Sequence, residues 1–163
     1  MSLAQLVFLA VSAVVLGAAI AVVISRNILH SALFLALSFF AVAGLYVLLE
    51  APFLAAAHIL VYVGAISVLI IFGIMLSRRI AAKDLVQRNG QWILGLVVAV
   101  LLFAVIGYSL LQVNWPVDAA PLSGDYIASL GQAFVDPYLA PFEVASIVLL
   151  VALVGAIIIA RER

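Results

Sequence analysis

The chain has 163 residues, 69% of them hydrophobic and 9% charged, and its mean hydropathy is +1.44. Soluble domains are about half apolar and about a quarter charged, so this composition excludes an ordinary water-soluble fold and points to an integral membrane protein. Seven Lys and Arg balance seven Asp and Glu, leaving no basic block for nucleic acid. With no cysteine, the chain lacks thiolate-ligated clusters, cysteine nucleophiles and disulfides.

The charges divide the chain into long stretches free of Asp, Glu, Lys and Arg: residues 1–25, 27–49, 51–77, 89–117 and 144–160. Crossing about 30 Å of hydrocarbon at about 1.5 Å per residue takes about 20 apolar residues. The pattern predicts an all-α integral membrane protein, a single transmembrane domain over 1–163. Its five helices are expected near 3–24, 32–49, 53–76, 92–111 and 142–160. The first stretch is too long and too poor in N-terminal charge for a cleaved signal peptide, so no processing is expected.

Five spans put Arg26, then Arg78, Arg79, Lys83 and Arg88, then Arg161 and Arg163 on one face, which is all seven Lys and Arg. Glu50, Asp118, Asp125 and Asp136 fall on the other. The positive-inside rule therefore places the N-terminus outside and the C-terminus inside.

The turns at 26–31 and 50–52 are short, so the first three helices form an antiparallel series. Residues 112–140 are longer and carry the breakers Asn114-Trp115-Pro116, Pro121, Ser123-Gly124 and Asp136-Pro137. Within them Ile127, Leu130 and Phe134 recur at helical spacing beside Asp125, Ser129 and Gln132. That spacing predicts a short interfacial helix between helices four and five; a packed loop with one apolar edge is the alternative.

Few residues in the spans could carry chemistry. His30 begins helix two at the inner face and His58 lies near the outer end of helix three, so the two cannot share one haem iron. The sequence has no carboxylate pair, metal-ligand cluster or glycine-rich phosphate loop, and no catalytic or metal site is expected. His58 has Tyr62 at i+4 on the same face, and Ser67 lies further along. Intramembrane ionisable groups usually face a bundle interior or a wet cavity; a histidine hydrogen-bonded near the interface and a belt tyrosine remain the plainer reading. Gly64-Ala65 follows Tyr62, and Ala55-Ala56-Ala57 precedes His58. These small residues permit close packing, or a helix able to bulge or rotate. Pro141-Phe142-Glu143 opens helix five: Pro141 suits the first helical position and Glu143 in the first turn meets the positive dipole end. A proton-relay or partner-facing role for Glu143 is also open. Glu50 reads as a solvated turn charge.

Ala56-Ala57-His58-Ile59-Leu60-Val61-Tyr62-Val63-Gly64-Ala65-Ile66, continuing through Val68-Leu69 to Phe72 and Met75-Leu76, resembles the third-helix signature of the J-type subunit of complex I. This is the chain-6 membrane subunit of NADH:quinone oxidoreductase. Pro141-Phe142-Glu143-Val144-Ala145-Ser146 with Leu149-Leu150, Gly155-Ala156 and Ala160-Arg161 resembles its last helix, and the run from Asn27 to Ala32 fits its first turn. The likeness covers the whole chain and is weakest in the connection at 112–140.

The resemblance implies a membrane-arm subunit beside the H-, A-, K- and N-type subunits, in a bacterial cytoplasmic membrane or an equivalent energy-transducing membrane. It implies no cofactor in this chain, with FMN, Fe–S clusters and quinone on other subunits. It also implies that the third helix can carry a π-bulge around Tyr62 and Gly64, whose formation and loss help couple quinone reduction to proton translocation. His58, Tyr62 and Glu143 are then the proton-coupling candidates and Gly64 the hinge candidate. Many members of that family carry Glu or Gln at the position of His58, and a carboxylate role does not transfer to a group that is cationic when charged. Photosynthetic relatives that take electrons from ferredoxin share these motifs, so the donor is not fixed by this chain. The competing classes are a small multi-span transporter, which would want discontinuous helices or a central charge that the spans lack, and a non-redox membrane scaffold.

Overall fold

The computed structural model describes residues 2–77, 91–113 and 125–161. Arg78, Arg79, Lys83, Arg88 and Arg163 lie outside the described residues, as do Asn114, Trp115, Pro116, Asp118, Pro121, Ser123 and Gly124. Among the described residues all regular structure is helical. Among these residues five helices are long and apolar enough to cross a membrane: α1 (Leu3–Ile24), α2 (Ile28–Leu48), α3 (Pro52–Leu76), α4 (Trp92–Gln112) and, after the short α5 (Tyr126–Val135), α6 (Leu139–Ala160).

Local chemistry sets the helix starts. A capping box opens α1: the Gln5 N–H donates to Ser2 Oγ at 3.3 Å and the Ser2 N–H to Gln5 Oε1 at 2.9 Å. Asn27 caps α2, its Oδ1 accepting from the Leu29 N–H at 2.9 Å. The second helix therefore starts at Ile28, four residues before the expected 32, because an Asx cap rather than the first apolar residue decides where a helix begins. Its turn shrinks to residues 25–27, and His30 sits inside the first turn. Pro52 takes the first position of α3, where its missing N–H costs nothing.

The α2–α3 turn is a Schellman motif with an unusual occupant. The Ala51 N–H donates to the Tyr46 carbonyl at 2.9 Å and the Glu50 N–H to the Val47 carbonyl at 3.1 Å. The residue between must be left-handed, and Glu50 is, with φ of 55°. Glycine is the ordinary choice there, so Glu50 is a strained turn residue as well as a charged one.

The chain forms two compact units, divided after Gln112. In the first, α2 lies between α1 and α3. The seams are made of small side chains: among the described residues, Ala18 of α1, Ala32, Ala41 and Ala43 of α2, and Ala55 and Ser67 of α3 are the buried ones. A Cβ added at Gly44 would meet Val11 Cγ1 at 3.5 Å. Close backbone approach through small residues is how helices associate where lipid competes for every larger apolar group. No residue of α4 is buried.

In the second unit α5 packs on α6, with Phe134 and Phe142 at 5.8 Å between ring centroids. Residues 126–135 are a helix rather than a loop, capped by Asp125, whose Oδ1 accepts from the Ile127 and Ala128 N–H groups. It ends at Asp136-Pro137, and the Tyr138 N–H reaches back over Pro137 to the Ala133 carbonyl at 3.0 Å. The last helix starts at Leu139, three residues before the expected 142. Pro141 is therefore its third residue rather than its first. It is tolerated because N–H groups of a first turn have no intrahelical acceptor. Glu143 becomes the fifth residue, past the first turn, and the capping explanation for it fails with distance from the helix end.

Candidate functional site

The middle of α3 departs from α-helical geometry. Residues Pro52–His58 and Ser67–Leu76 are α-helical, and Ile59–Ile66 between them is π-helical. The sequence explains the location. Ile59, Val61, Val63 and Ile66 are β-branched and lose side-chain freedom in a helix, and Gly64 holds helical backbone weakly. The Ile59 N–H is shared between the Ala55 and Ala56 carbonyls on entry. On exit the Ser67 N–H reaches five residues back to the Tyr62 carbonyl. The same carbonyl accepts the Ser67 hydroxyl at 2.7 Å.

Four rings cluster beside this segment. His58 and Tyr62 stack at 4.4 Å and 21°. From α2, Phe39 packs edgewise on His58 at 5.9 Å and on Tyr62 at 5.3 Å, while Tyr46 meets His58 at 5.4 Å. Such ring pairs contribute about 0.5–1.5 kcal/mol each beyond area burial. They fix the imidazole against α2, and they leave its Nε2 buried without a hydrogen-bond partner among the described residues. An orphaned buried polar atom costs about 1–3 kcal/mol, which marks a place where something else is expected to bond. Alongside runs an open groove of about 290 Å³ lined by Tyr46, Leu54, Ala57, His58, Val61 and Tyr62.

Of the residues singled out in the sequence, His58, Tyr62 and Gly64 thus share one structural unit, the π segment and its first flank. Stacked face to face, His58 and Tyr62 do not hydrogen-bond each other. A Cβ on Gly64 would meet the Ile59 carbonyl oxygen at 3.4 Å, so this position faces the widened turn's own backbone. Glu143 belongs to the other unit, where it is exposed on α6. Phe39, Tyr46 and the anchoring role of Ser67 were not read from the sequence. The seven-residue spacing of Phe39 and Tyr46, two turns on one face of α2, was the available signal.

Chemically, the cluster can place one protonatable nitrogen between two helices. Among the described residues no three His, Asp or Glu side chains converge as a metal site.

The family profile for NADH-ubiquinone/plastoquinone oxidoreductase chain 6 matches residues 18–159. The NAD(P)H-quinone oxidoreductase chain 6 of Synechocystis sp. is 41% identical over 159 residues, covering 95% of this chain and 79% of the relative. The F(420)H(2) dehydrogenase subunit J of Methanosarcina mazei is 40% identical over 147 residues, 88% of this chain and 82% of the relative. The chloroplastic NAD(P)H-quinone oxidoreductase subunit 6 of Physcomitrium patens is 36% identical over 174 aligned positions, 99% of this chain and 86% of the relative.

Proposed function

The chain belongs to the NADH-ubiquinone/plastoquinone oxidoreductase chain 6 family, and from that premise we propose that it is a membrane-arm subunit of a proton-translocating NADH:quinone oxidoreductase. It carries no electrons itself. It helps couple quinone reduction to proton movement through the middle of α3. The observation that carries this reading is the π-helical Ile59–Ile66 segment inside a spanning helix, carrying Tyr62 stacked on the flanking His58.

The physical argument runs from register to hydration. One residue more or less in a turn rotates everything beyond it by about 100°. A π-to-α change in Ile59–Ile66 turns His58 and Tyr62 relative to Ser67–Leu76, making or breaking a hydrated polar connection to groups on neighbouring subunits. No charge need reside permanently in this chain. A switch of this kind needs two packings within a few kcal/mol, which Gly64 in a β-branched run permits. Glu143 on α6 is the second candidate to face such a connection.

FMN, Fe–S clusters and the quinone belong to other subunits, with the H-, A-, K- and N-type membrane subunits as neighbours. Relatives named for NAD(P)H and for F(420)H(2) share this subunit's pattern, which supports a role independent of the electron donor. The N-terminus faces outside and all seven Lys and Arg face inside, in a bacterial cytoplasmic or equivalent membrane. Cysteines at Ser123 and Lys83 then label from opposite faces with an impermeant reagent; labelling from one face contradicts the topology.

Affinity purification of the tagged chain from its native membrane tests the assignment. Recovery of a quinone-reducing complex, with flavin and cluster spectra absent from the separated subunit, is the expected result. Recovery without any oxidoreductase subunit would refute it.

A further inference from the structure

We propose that the Ser67 hydroxyl is a register latch, a positioning residue that holds Ile59–Ile66 in its π form and so sets the bias of α3. Its functional consequence rests on the reading above; the latch itself rests on geometry alone.

Three serines in the spanning helices turn their hydroxyls back onto the helix. Ser109 donates to the Val105 carbonyl at 2.9 Å and Ser146 to the Phe142 carbonyl at 3.1 Å, each four residues back. This is the ordinary back-bond of an α-helix and favours no other register. Ser67 instead reaches five residues back, to Tyr62, at the shorter distance of 2.7 Å. The Tyr62 carbonyl thereby accepts both the Ser67 N–H and the Ser67 hydroxyl, at the last turn of the π segment.

Among the described residues Ser67 is also the buried polar side chain, 3% exposed in the seam of small residues. Conversion of Ile59–Ile66 to an α-helix would give the Ser67 N–H the Val63 carbonyl, as any α-helical residue has its i−4 acceptor. The hydroxyl's bond to Tyr62, which spans the extra residue of the π turn, would be lost. The two flanks of α3 would then be rotated by about 100° relative to each other. Either Ser67 leaves its buried place or His58 and Tyr62 leave Phe39. The bond from Ser67 to Tyr62 and the burial of Ser67 among alanines therefore belong to the same register as the ring cluster. One hydroxyl ties the exit of the π segment to the residue whose ring stacks on His58.

The test uses the assembled complex in lipid, imaged by electron cryomicroscopy and sorted by the helical register of residues 59–66. Ser67→Ala keeps a small side chain suited to the seam and removes only the hydroxyl. It is expected to lower the ratio of π to α particles about threefold, the scale of one hydrogen bond. Ser67→Thr, which retains the hydroxyl, restores the ratio, and Ser109→Ala leaves it unchanged. An unchanged ratio in Ser67→Ala overturns the latch, and so does an equal fall in Ser109→Ala. Failure of Ser67→Ala to assemble also overturns it, since Ser67 would then be a packing residue. A lowered ratio with unchanged coupled turnover leaves the latch standing and removes the switch role proposed for α3.

Discussion

α3 and α6 are spanning helices of similar length and apolarity, yet they are organised differently. α3 packs on α2 through Ala55 and Ser67, gathers three aromatic neighbours around His58 and breaks into π geometry for Ile59–Ile66. α6 is regular from Leu139 to Ala160, and none of its residues is buried within its own unit. Apolarity thus decides that both helices cross the membrane, while small residues and a few polar atoms decide which one is held, and in what register. The surface of an evenly apolar helix such as α6 is suited all round to lipid or to other apolar helices.

The largest effect should come from the seam. Ala43, 1% exposed on α2, has no room for a larger side chain. Ala43→Leu is expected to destabilise the first unit by about 1–3 kcal/mol through overpacking. Ala152→Leu on exposed α6 should stay within about 0.5 kcal/mol. Unfolding of the purified chain in mixed micelles compares the two, and equal effects would erase the distinction drawn between the helices.

The turn before α3 is the next place to look. Glu50→Gly removes the steric cost of a left-handed Glu at φ of 55° and should stabilise the same unit by about 1 kcal/mol, read in the same assay. The gain is limited by glycine's greater freedom in the unfolded chain. A smaller, local effect is expected at α5: Asp125→Ala removes the acceptor of two N–H groups and should cost that helix about 1 kcal/mol. Amide exchange would rise in residues 126–129 and remain unchanged in α3.

The five spans were legible because long apolar stretches with almost no charge determine them. The helix starts were less so. Hydropathy begins at the first apolar run, whereas Asn27 captures an N–H of the residues after it and pulls α2 back to Ile28. Pro141 read as a first helical residue because proline is commonest there, but the whole first turn tolerates it, so α6 begins at Leu139 and Glu143 loses its capping role. In the site, His58, Tyr62 and Gly64 stood out as polar or small residues in an apolar span. Phe39 and Tyr46 did not, since aromatic residues in a membrane helix carry no mark of which neighbour they touch. The five-residue reach of Ser67 is invisible in sequence, because it exists only once the π turn has formed.

The central claim, that α3 works by changing register at Ile59–Ile66, is tested most directly at Gly64. Its Cβ position faces the Ile59 carbonyl oxygen at 3.4 Å, and a β-branched side chain there is restricted to essentially one helical rotamer. Gly64→Val should bias α3 toward a single register. Coupled quinone reduction per assembled complex should fall about tenfold or more, while flavin-side reduction of an artificial acceptor stays nearly unchanged; Tyr62→Phe, which loses only a hydroxyl, should do less. The measurement is coupled turnover normalised to the amount of assembled complex. A fully assembled Gly64→Val enzyme that turns over and pumps normally would contradict the account.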